Sequence, residues 1–159
     1  ICRPHNVYGP NMGVGHVIPQ FALRLRDMIE NSSNEILEFP ILGTGRETRA
    51  FCYILDAIDA LILAADYGEH RGIYHVGTEE EVSIRSLAEA VARHKGIPVR
   101  IMPGENLSGA PSRRCPSIAK LRDLGYEPTW FLERGLAETV DWYFDSELSL
   151  PTTKEVIAR

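Results

Sequence analysis

The stretch AIDALILAA, at residues 57–65, constrains the fold more than any other part of the chain. On a helix of about residues 56–66 it is apolar on nearly every side, so it needs cover from several directions. It is far too short to span a bilayer, and it contains Asp59. We therefore expect a buried helix inside a layered structure, with Asp56 as its N-cap.

Short strands and amphipathic helices alternate along the chain. Helices are predicted to begin near Ile18, after Ser83, after Ser117 and at about residue 132, and Gly96 and Gly125 end two of them. Strands are predicted at residues 1–8, ILEFPIL, RAFCYI, GIYHVG and VRIM. This order indicates an α/β or α+β fold. Because the strands are few and short, we expect a piece of a larger α/β structure.

The composition and the missing motifs narrow the function. The 159 residues carry a net charge of -5, so an anion site has to come from a few placed arginines. Three widely spaced cysteines without a CxxC pair predict free thiols in the cytoplasm, and neither a disulfide nor a zinc framework. There is no GxGxxG, phosphate loop, GxSxG or HExxH, and no tyrosine is followed four places later by lysine. The sequence therefore lacks a complete active site.

Four segments follow one another in an order typical of one family. They are RPHNVYGP, GTGRETRAFCYI, the stretch from GIYHVG to ARHKG, and RRCPSIAKLRDLGYEP. Over residues 1 to about 145 this order resembles the C-terminal half of the extended short-chain dehydrogenase/reductases. It is most similar to the nucleotide-sugar epimerases, 4,6-dehydratases and UDP-glucuronate decarboxylases. The resemblance implies the end of a Rossmann sheet plus a small α+β substrate domain, without the N-terminal dinucleotide-binding half. Residues 146–159 would then form a polar tail, frayed or bound to a partner.

The resemblance also implies a binding site for a nucleotide-diphosphate sugar. Arg49 and Arg114 match the two family arginines that contact the diphosphate, for which a planar guanidinium is well suited. Asn6 matches the asparagine at the diphosphate-sugar end. Val17 occupies a helix start whose backbone N–H serves the same ligand.

Three further residues match family positions around the nucleobase and the cofactor. Pro40 and Leu42 lie where the base ring packs, and His5 occupies the position beside the nicotinamide of NAD in a full-length enzyme. No residue is implied as a metal ligand.

Plainer interpretations stand beside these. Arg49 could be a solvated charge at a strand start, and Arg113 could take the role given to Arg114. Asn6 before a Gly-Pro turn could simply cap that turn. His5 could be structural in this chain.

The resemblance implies a function for the whole enzyme but not for this chain alone. In the family a hydride moves from a sugar carbon to NAD and usually back, with a tyrosine as base and a lysine that lowers the tyrosine's pKa. Neither residue of that pair is present. We expect a nucleotide-sugar-binding half without catalysis or cofactor of its own. The alternatives are a stand-alone binding or interaction module derived from the family, and a fragment of an ordinary enzyme.

A half-enzyme should expose the apolar surface that its other half covers. We expect that surface to be covered by a second copy in a homodimer or by the missing N-terminal half. The expected contact residues are Val7, Ile58, Leu61, Ile62 and Val76. Alternatively, the tail could fold over the gap in a monomer, through Leu148, Leu150, Val156 and Ile157.

Overall fold

A computed structural model describes residues 1–105, 109 and 111–150. The helices are α1 Val17–Asn31, α2 Ile54–Tyr67, α3 Ile84–His94, α4 Ala119–Arg122 and α5 Leu132–Asp145. The strands are β1 Cys2–Pro4, β2 Val7–Tyr8, β3 Leu37–Ile41, β4 Thr48–Ala50, β5 Cys52–Tyr53, β6 Tyr74–Val76, β7 Glu81–Ser83, β8 Val99–Pro103 and β9 Arg113–Arg114.

The strands form small sheets with mostly parallel pairing. β1 pairs with β6, β2 with β5, and β3 with β8, each in parallel. A three-stranded sheet places β4 between antiparallel β7 and parallel β9. Parallel pairs joined through helices are the arrangement of α/β proteins, which confirms the predicted fold class.

The strand predicted over residues 1–8 is broken at Asn6. This residue has a positive φ of 42°, which an asparagine tolerates better than most residues. Its carbonyl accepts a hydrogen bond from the Cys52 amide at 3.2 Å, and its Nδ2 donates to the Ala50 carbonyl at 2.8 Å. The break moves the chain from β1, paired with β6, to β2, paired with β5.

The larger hydrophobic core lies between α1, α3, α5 and the β3–β8 pair. Most of the apolar side of α1 is buried, with Leu23 and Leu25 fully covered, while Ile29 near its end is exposed. Phe21 meets Phe39 of β3 edge to face, with ring centroids 5.4 Å apart. Ser83 caps α3 by accepting a hydrogen bond from the Ser86 amide at 3.0 Å, which confirms the predicted cap.

A second, smaller core lies between α2, α4 and β6. Val76 is fully buried there beside Leu121, while Ala57 and Ala60 of α2 face the same core. The prediction that Val76 lies at an intermolecular contact was therefore wrong, because this chain's own helices cover it. Val7 is partly buried against the same core.

Helix α2 differs from its prediction in two respects. It begins at Ile54, so Asp56 lies in its first turn and makes no N-cap hydrogen bond. It was predicted to be a buried helix, but its outer side is exposed, with Ile58 at 41% and Ile62 at 56%, which is the exposure expected of a chain that lacks part of its cover. The described residues cover the side of α2 that faces α4 and the strands β1, β2, β5 and β6.

Hydrogen bonds fix the start of α4 and the segment that follows α5. Helix α4 begins at Ala119 rather than directly after Ser117, and Glu79 accepts the Ile118 amide at 3.2 Å. After α5, the Arg26 guanidinium donates to the carbonyls of Ser146 and Leu148, at 2.7 and 2.5 Å. Residues 151–159, including Val156 and Ile157, lie outside the described residues. No helix in the described ranges has the length and apolar character to cross a membrane.

Candidate functional site

The two arginines predicted to bind a diphosphate lie side by side. In the parallel pairing of β4 and β9, Arg49 is the direct backbone partner of Arg114. Burial and the positive charge of Arg114 lower the pKa of Arg49. A fold that holds two guanidinium groups together has an excess of positive charge, which a bound anion would relieve.

The neighbouring Arg113 is already engaged. Its Nε and Nη2 donate to Glu81 Oε1, at 3.0 and 2.6 Å. This contact raises the pKa of Arg113 and lowers that of Glu81. Arg114 has no ion-pair partner among the described residues. The structure therefore favours Arg114 over Arg113 as the arginine available to an anion.

A glycine-rich turn fixes where β4 and Arg49 begin. Gly43 and Gly45 both have positive φ, at 75° and 80°, and a Cβ at Gly45 would lie 2.7 Å from the Ile41 side chain. The Glu47 carboxylate accepts the amides of Thr44 and Gly45 at 3.0 and 2.9 Å. Hydrogen bonds from its own backbone N–H and then from Thr44 and Gly45 lower the pKa of Glu47, against the effect of burial.

The Arg49 guanidinium is oriented by backbone carbonyls. Its Nη1 donates to the Thr48 carbonyl at 2.7 Å, and its Nη2 to the Pro111 carbonyl at 2.9 Å. An arginine has five N–H donors, so these bonds fix the side chain and leave donors for a ligand.

One open cleft brings together three of the predicted residues. It has a volume of about 520 Å³ and is lined by Pro4, His5, Asn6, Arg113, Arg114, Cys115 and Pro116. His5 and Asn6 are distant in sequence from Arg114, and the fold brings all three to this cleft. The cleft has the cationic lining that a phosphate group requires.

His5 has a partner that the sequence analysis missed. Its Nε2 lies 2.6 Å from His75 Nδ1. Burial first, and then the positive charges of His75 and Arg3, lower the pKa of His5. His75 is the β6 partner of Arg3 in the parallel pair, so only knowledge of that register could have revealed the contact.

A second, smaller cavity of about 60 Å³ joins Asn6 to the start of α1. Asn6, His16 and Val17 line it, together with Val7, Tyr8, Met12, Ile18 and Phe51. The amides of a first helical turn have no partner within the helix, so Val17 offers a donor at this end. His16, the N-cap residue of α1, was missed, although its place just before the first helical turn was a usable signal.

Three of the predicted site residues line neither cavity: Arg49, which is the strand partner of Arg114, and Pro40 and Leu42. Pro40 and Leu42 are exposed at the end of β3, with Leu42 at 71%. Arg24 donates to the Pro40 carbonyl and lies over the Phe39 ring, 4.8 Å from its centroid. The structure thus does not bring Pro40 and Leu42 together with Asn6 and Arg114 in one cavity. The described residues contain no cluster of three or more potential metal ligands.

Both the sequence and the fold of the chain are similar to those of known proteins. The family model described as "NAD dependent epimerase/dehydratase family" matches residues 1–77. The chain is similar to the epimerases and dehydratases of this family over part of their length. Within this family, the chain is 32% identical to "GDP-L-fucose synthase 1" of Arabidopsis thaliana, with 88% of this chain and 44% of the relative covered.

Other family members show the same partial coverage. The chain is 35% identical to "UDP-glucuronic acid decarboxylase 3" of Arabidopsis thaliana, covering 86% of this chain and 38% of the relative. It superposes with a TM-score of 0.74 and 28% identity on UDP-glucose 4-epimerase of Thermus thermophilus, solved with NAD, covering 91% of this chain and 46% of that one. The chain thus spans less than half the length of these epimerase/dehydratase relatives.

Proposed function

We propose that this chain is the nucleotide-sugar-binding part of an NAD-dependent epimerase, dehydratase or decarboxylase. The adjacent placement of Arg49 and Arg114 carries the proposal. Two guanidinium groups on neighbouring strands match the spread of charge on a diphosphate and can bind it bidentately. The names of the relatives support the ligand class, since they include a GDP-sugar synthase and a UDP-sugar decarboxylase.

Asn6 and Val17 extend the proposed site away from the arginines. Asn6 lines both cavities, so its side chain stands between the cationic cleft and the start of α1. The Asn6 Nδ2 donates a hydrogen bond to the Ala50 carbonyl. The side-chain oxygen Oδ1 is therefore available to accept a hydrogen bond from a sugar hydroxyl. In this proposal the diphosphate lies at Arg49 and Arg114, and the sugar end lies toward Asn6 and Val17.

The proposed role is binding and orientation rather than chemistry. The chain has no tyrosine followed four places later by lysine, so it does not supply the proton-transfer pair of its family. The described residues also do not fit the pyrophosphate of NAD. Gly13 and Gly15 precede α1, but without the GxGxxG spacing that forms a dinucleotide cradle. His5 would lie beside a nicotinamide only in a longer enzyme.

A nucleotide titration tests the proposal directly. Heats of binding of UDP, GDP and dTDP to the wild-type chain should show weak affinity, because water screens arginine–phosphate contacts in an open cleft. We expect Arg49→Ala and Arg114→Ala each to reduce the affinity for the tightest-binding of these nucleotides by about tenfold. This is the effect of losing a charge-assisted hydrogen bond.

The matched control for this titration is Arg100→Ala. Arg100 is an exposed arginine on β8 whose partner is Glu38, at 3.4 Å. Its loss should leave nucleotide affinity unchanged. Equal and clearly measurable binding by wild type and Arg49→Ala would show that the site is assigned wrongly.

The second candidate is a stand-alone binding or interaction module without chemistry, located in the cytoplasm. The open cationic cleft suits that role as well, because binding needs no catalytic pair. The coding DNA upstream of the Ile1 codon separates the two. An open frame with a glycine fingerprint supports a part of an enzyme, and a nearby start codon supports a module. In both cases we predict that Ile58, Leu61 and Ile62 are covered, either by a second copy in a homodimer or by a separate N-terminal half.

A further inference from the structure

The sheet that carries the two site arginines has a carboxylate on its other face. Side chains alternate between the two faces of a strand, and residues directly opposite each other on paired strands share a face. In the registers of β4 with β7 and β9, Thr48, Glu81 and Arg113 therefore lie on one face. Arg49 and Arg114 lie on the opposite face. Glu81 is thus placed behind the proposed diphosphate site and not in it.

Glu81 connects all three strands of this sheet. From β7, its Oε2 accepts a hydrogen bond from the Thr48 hydroxyl of β4 at 2.8 Å. Both carboxylate oxygens accept Arg113 Nε of β9 at 3.0 Å, and Oε1 also accepts Nη2 at 2.6 Å. Thr48 directly precedes Arg49 in sequence, and Arg113 directly precedes Arg114. One carboxylate therefore holds the residue before each site arginine.

Strand β9 depends on this contact because its own pairing is short. The strand contains two residues, and just before them the Ser112 carbonyl accepts the Thr48 amide at 2.8 Å. Among the described residues, β9 pairs with β4 alone. A bidentate contact between arginine and carboxylate fixes orientation as well as distance. With Arg113 held in this way, the next residue, Arg114, stays opposite Arg49.

We propose that Glu81 is a positioning residue of the nucleotide-diphosphate site. From the far face of the sheet it holds β9 against β4, so that Arg114 remains beside Arg49. The inference rests on the proposed function, because it names the residue that sets the spacing of the arginine pair. Glu81 does not line the cationic cleft. It also neutralises Arg113, which leaves the diphosphate to Arg49 and Arg114.

A nucleotide titration tests whether Glu81 acts through Arg114. The probe is whichever of UDP, GDP and dTDP binds the wild-type chain most tightly. Glu81→Ala should reduce its affinity about fivefold, less than the loss of about tenfold expected for Arg114→Ala, because the guanidinium is still present but no longer fixed. The double variant Glu81→Ala/Arg114→Ala should bind no more weakly than Arg114→Ala, since changes that act through one contact are not additive. Glu80→Ala, at the exposed neighbouring glutamate, is the matched control and should bind as the wild type does.

An exchange of the two charges separates this contact from a general effect on the fold. Arg113→Glu places two carboxylates together, so it should weaken binding at least as much as Glu81→Ala. The swapped variant Glu81→Arg/Arg113→Glu restores an ion pair between β7 and β9 and should recover most of the lost affinity. The urea midpoints of all these variants should stay close to the wild-type value, because an exposed ion pair contributes little to global stability.

Amide hydrogen exchange reports on β9 without any nucleotide. The Thr48 amide, which donates to the Ser112 carbonyl, should exchange about tenfold faster in Glu81→Ala, because β9 then separates from β4 more often. The Cys52 amide donates to the Asn6 carbonyl in another strand pair and should keep its wild-type rate.

Any of three results would overturn the proposal. The first is a Glu81→Ala chain that binds the nucleotide as tightly as the wild type or more tightly, since Glu81 would then only restrain Arg113. The second is an unchanged Thr48 exchange rate in Glu81→Ala, and the third is a loss of affinity that adds fully to that of Arg114→Ala. A wild-type chain that binds none of the three nucleotides contradicts the proposed function instead, and the Thr48 exchange rate still decides whether Glu81 fixes β9.

Discussion

Asp56 shows how a single side chain connects two distant parts of this fold. It is only 1% exposed, and its carboxylate accepts three hydrogen bonds. Oδ1 accepts the amide and the hydroxyl of Thr129, both at 3.0 Å, and Oδ2 accepts the Trp130 amide at 3.0 Å. These donors belong to the segment before α5, so Asp56 ties α2 to the loop that positions α5.

Removing this carboxylate should therefore destabilise the chain. Asp56→Ala removes a buried carboxylate that accepts three hydrogen bonds from partly buried donors, and we expect a loss of about 1.5–3 kcal/mol in the free energy of unfolding. Asp59→Ala, at an exposed aspartate on the same helix, should change it by no more than about 0.5 kcal/mol. Urea denaturation of both variants measures the difference. Similar midpoints for the two would contradict this role of Asp56.

His5 should make stability depend on pH near neutrality. Burial, followed by the positive charges of His75 and Arg3, lowers its pKa in the folded chain below the ordinary value of 6.5. Above that value His5 is neutral in both states and has no effect. As the pH falls below it, the unfolded chain takes up a proton that the folded chain resists, so stability falls.

The pH profile of the urea midpoint between about pH 7.5 and 5.5 checks this sign, since the histidine reference value lies inside that window. His5→Asn should flatten the fall in stability toward low pH. His70→Asn, at an exposed histidine after α2, serves as the control and should keep the wild-type profile. A His5→Asn profile as steep as that of the wild type would contradict the assignment.

At the scale of elements, α5 lies close to β2 and β5 because it carries a glycine, Gly135, in its first turn. A Cβ at Gly135 would lie 2.2 Å from the Tyr8 hydroxyl and 2.8 Å from the Tyr53 ring. The Tyr8 hydroxyl also donates to the Leu132 carbonyl at 3.3 Å. The tyrosines and the helix therefore form a contact with no space for a side chain at Gly135.

Gly135→Ala should lower stability despite the better helix propensity of alanine. Overpacking of a tight contact typically costs about 1–3 kcal/mol, which outweighs a propensity gain of about 1 kcal/mol. The control is Gly15→Ala, where an added Cβ would meet no heavy atom within 4 Å. Thermal unfolding should show a lower midpoint for the first variant only. An unchanged midpoint in Gly135→Ala would mean that the helix can shift freely.

The sequence predicted the elements better than it predicted their partners. The spacing of apolar residues located α1, α3 and α5, because each has one apolar side and a polar remainder. For α2 the apolar surface predicted a helix that needs cover, but it did not reveal which side this chain covers and which side stays exposed. The break at Asn6 was also missed, because a positive φ there depends on Ala50 and Cys52, which are distant in sequence.

The site was predicted in a similarly uneven way. Family motifs pointed to Arg49 and Arg114, which the β4–β9 register brings together. They did not point to His75, whose contact with His5 depends on the pairing of β1 with β6. Motifs mark residues that touch a ligand, whereas the residues that support them follow from the register of strands.

At the scale of the whole molecule, the candidate site lies where the chain passes between two sheets. Asn6 lies between β1 and β2. It lines both the cationic cleft and the cavity at the start of α1. Directly after Asn6, Val7 packs against the smaller hydrophobic core and Tyr8 lies in the larger one. A ligand placed there would contact both parts of the described structure, and its binding would link them.

The last prediction concerns which nucleotides the whole chain recognises. A dinucleotide needs a glycine turn that leads from a strand into a helix N-terminus, so that backbone amides reach the pyrophosphate. The four longer described helices are instead preceded by His16, Tyr53, Ser83 and Phe131 as N-cap residues. Each of these four residues carries a side chain at the position where a glycine would let the pyrophosphate approach the backbone.

We therefore expect no measurable binding of NAD to the 159-residue chain under conditions where a nucleoside diphosphate binds. Both ligands should be titrated calorimetrically into the same preparation, with Arg49→Ala as the variant that weakens only the diphosphate. NAD also contains a pyrophosphate, so it could compete weakly with UDP for Arg49 and Arg114. Such competition is compatible with the prediction only if it disappears in Arg49→Ala. Micromolar NAD affinity that survives Arg49→Ala would show a dinucleotide site elsewhere, because the arginine pair would then play no part in it.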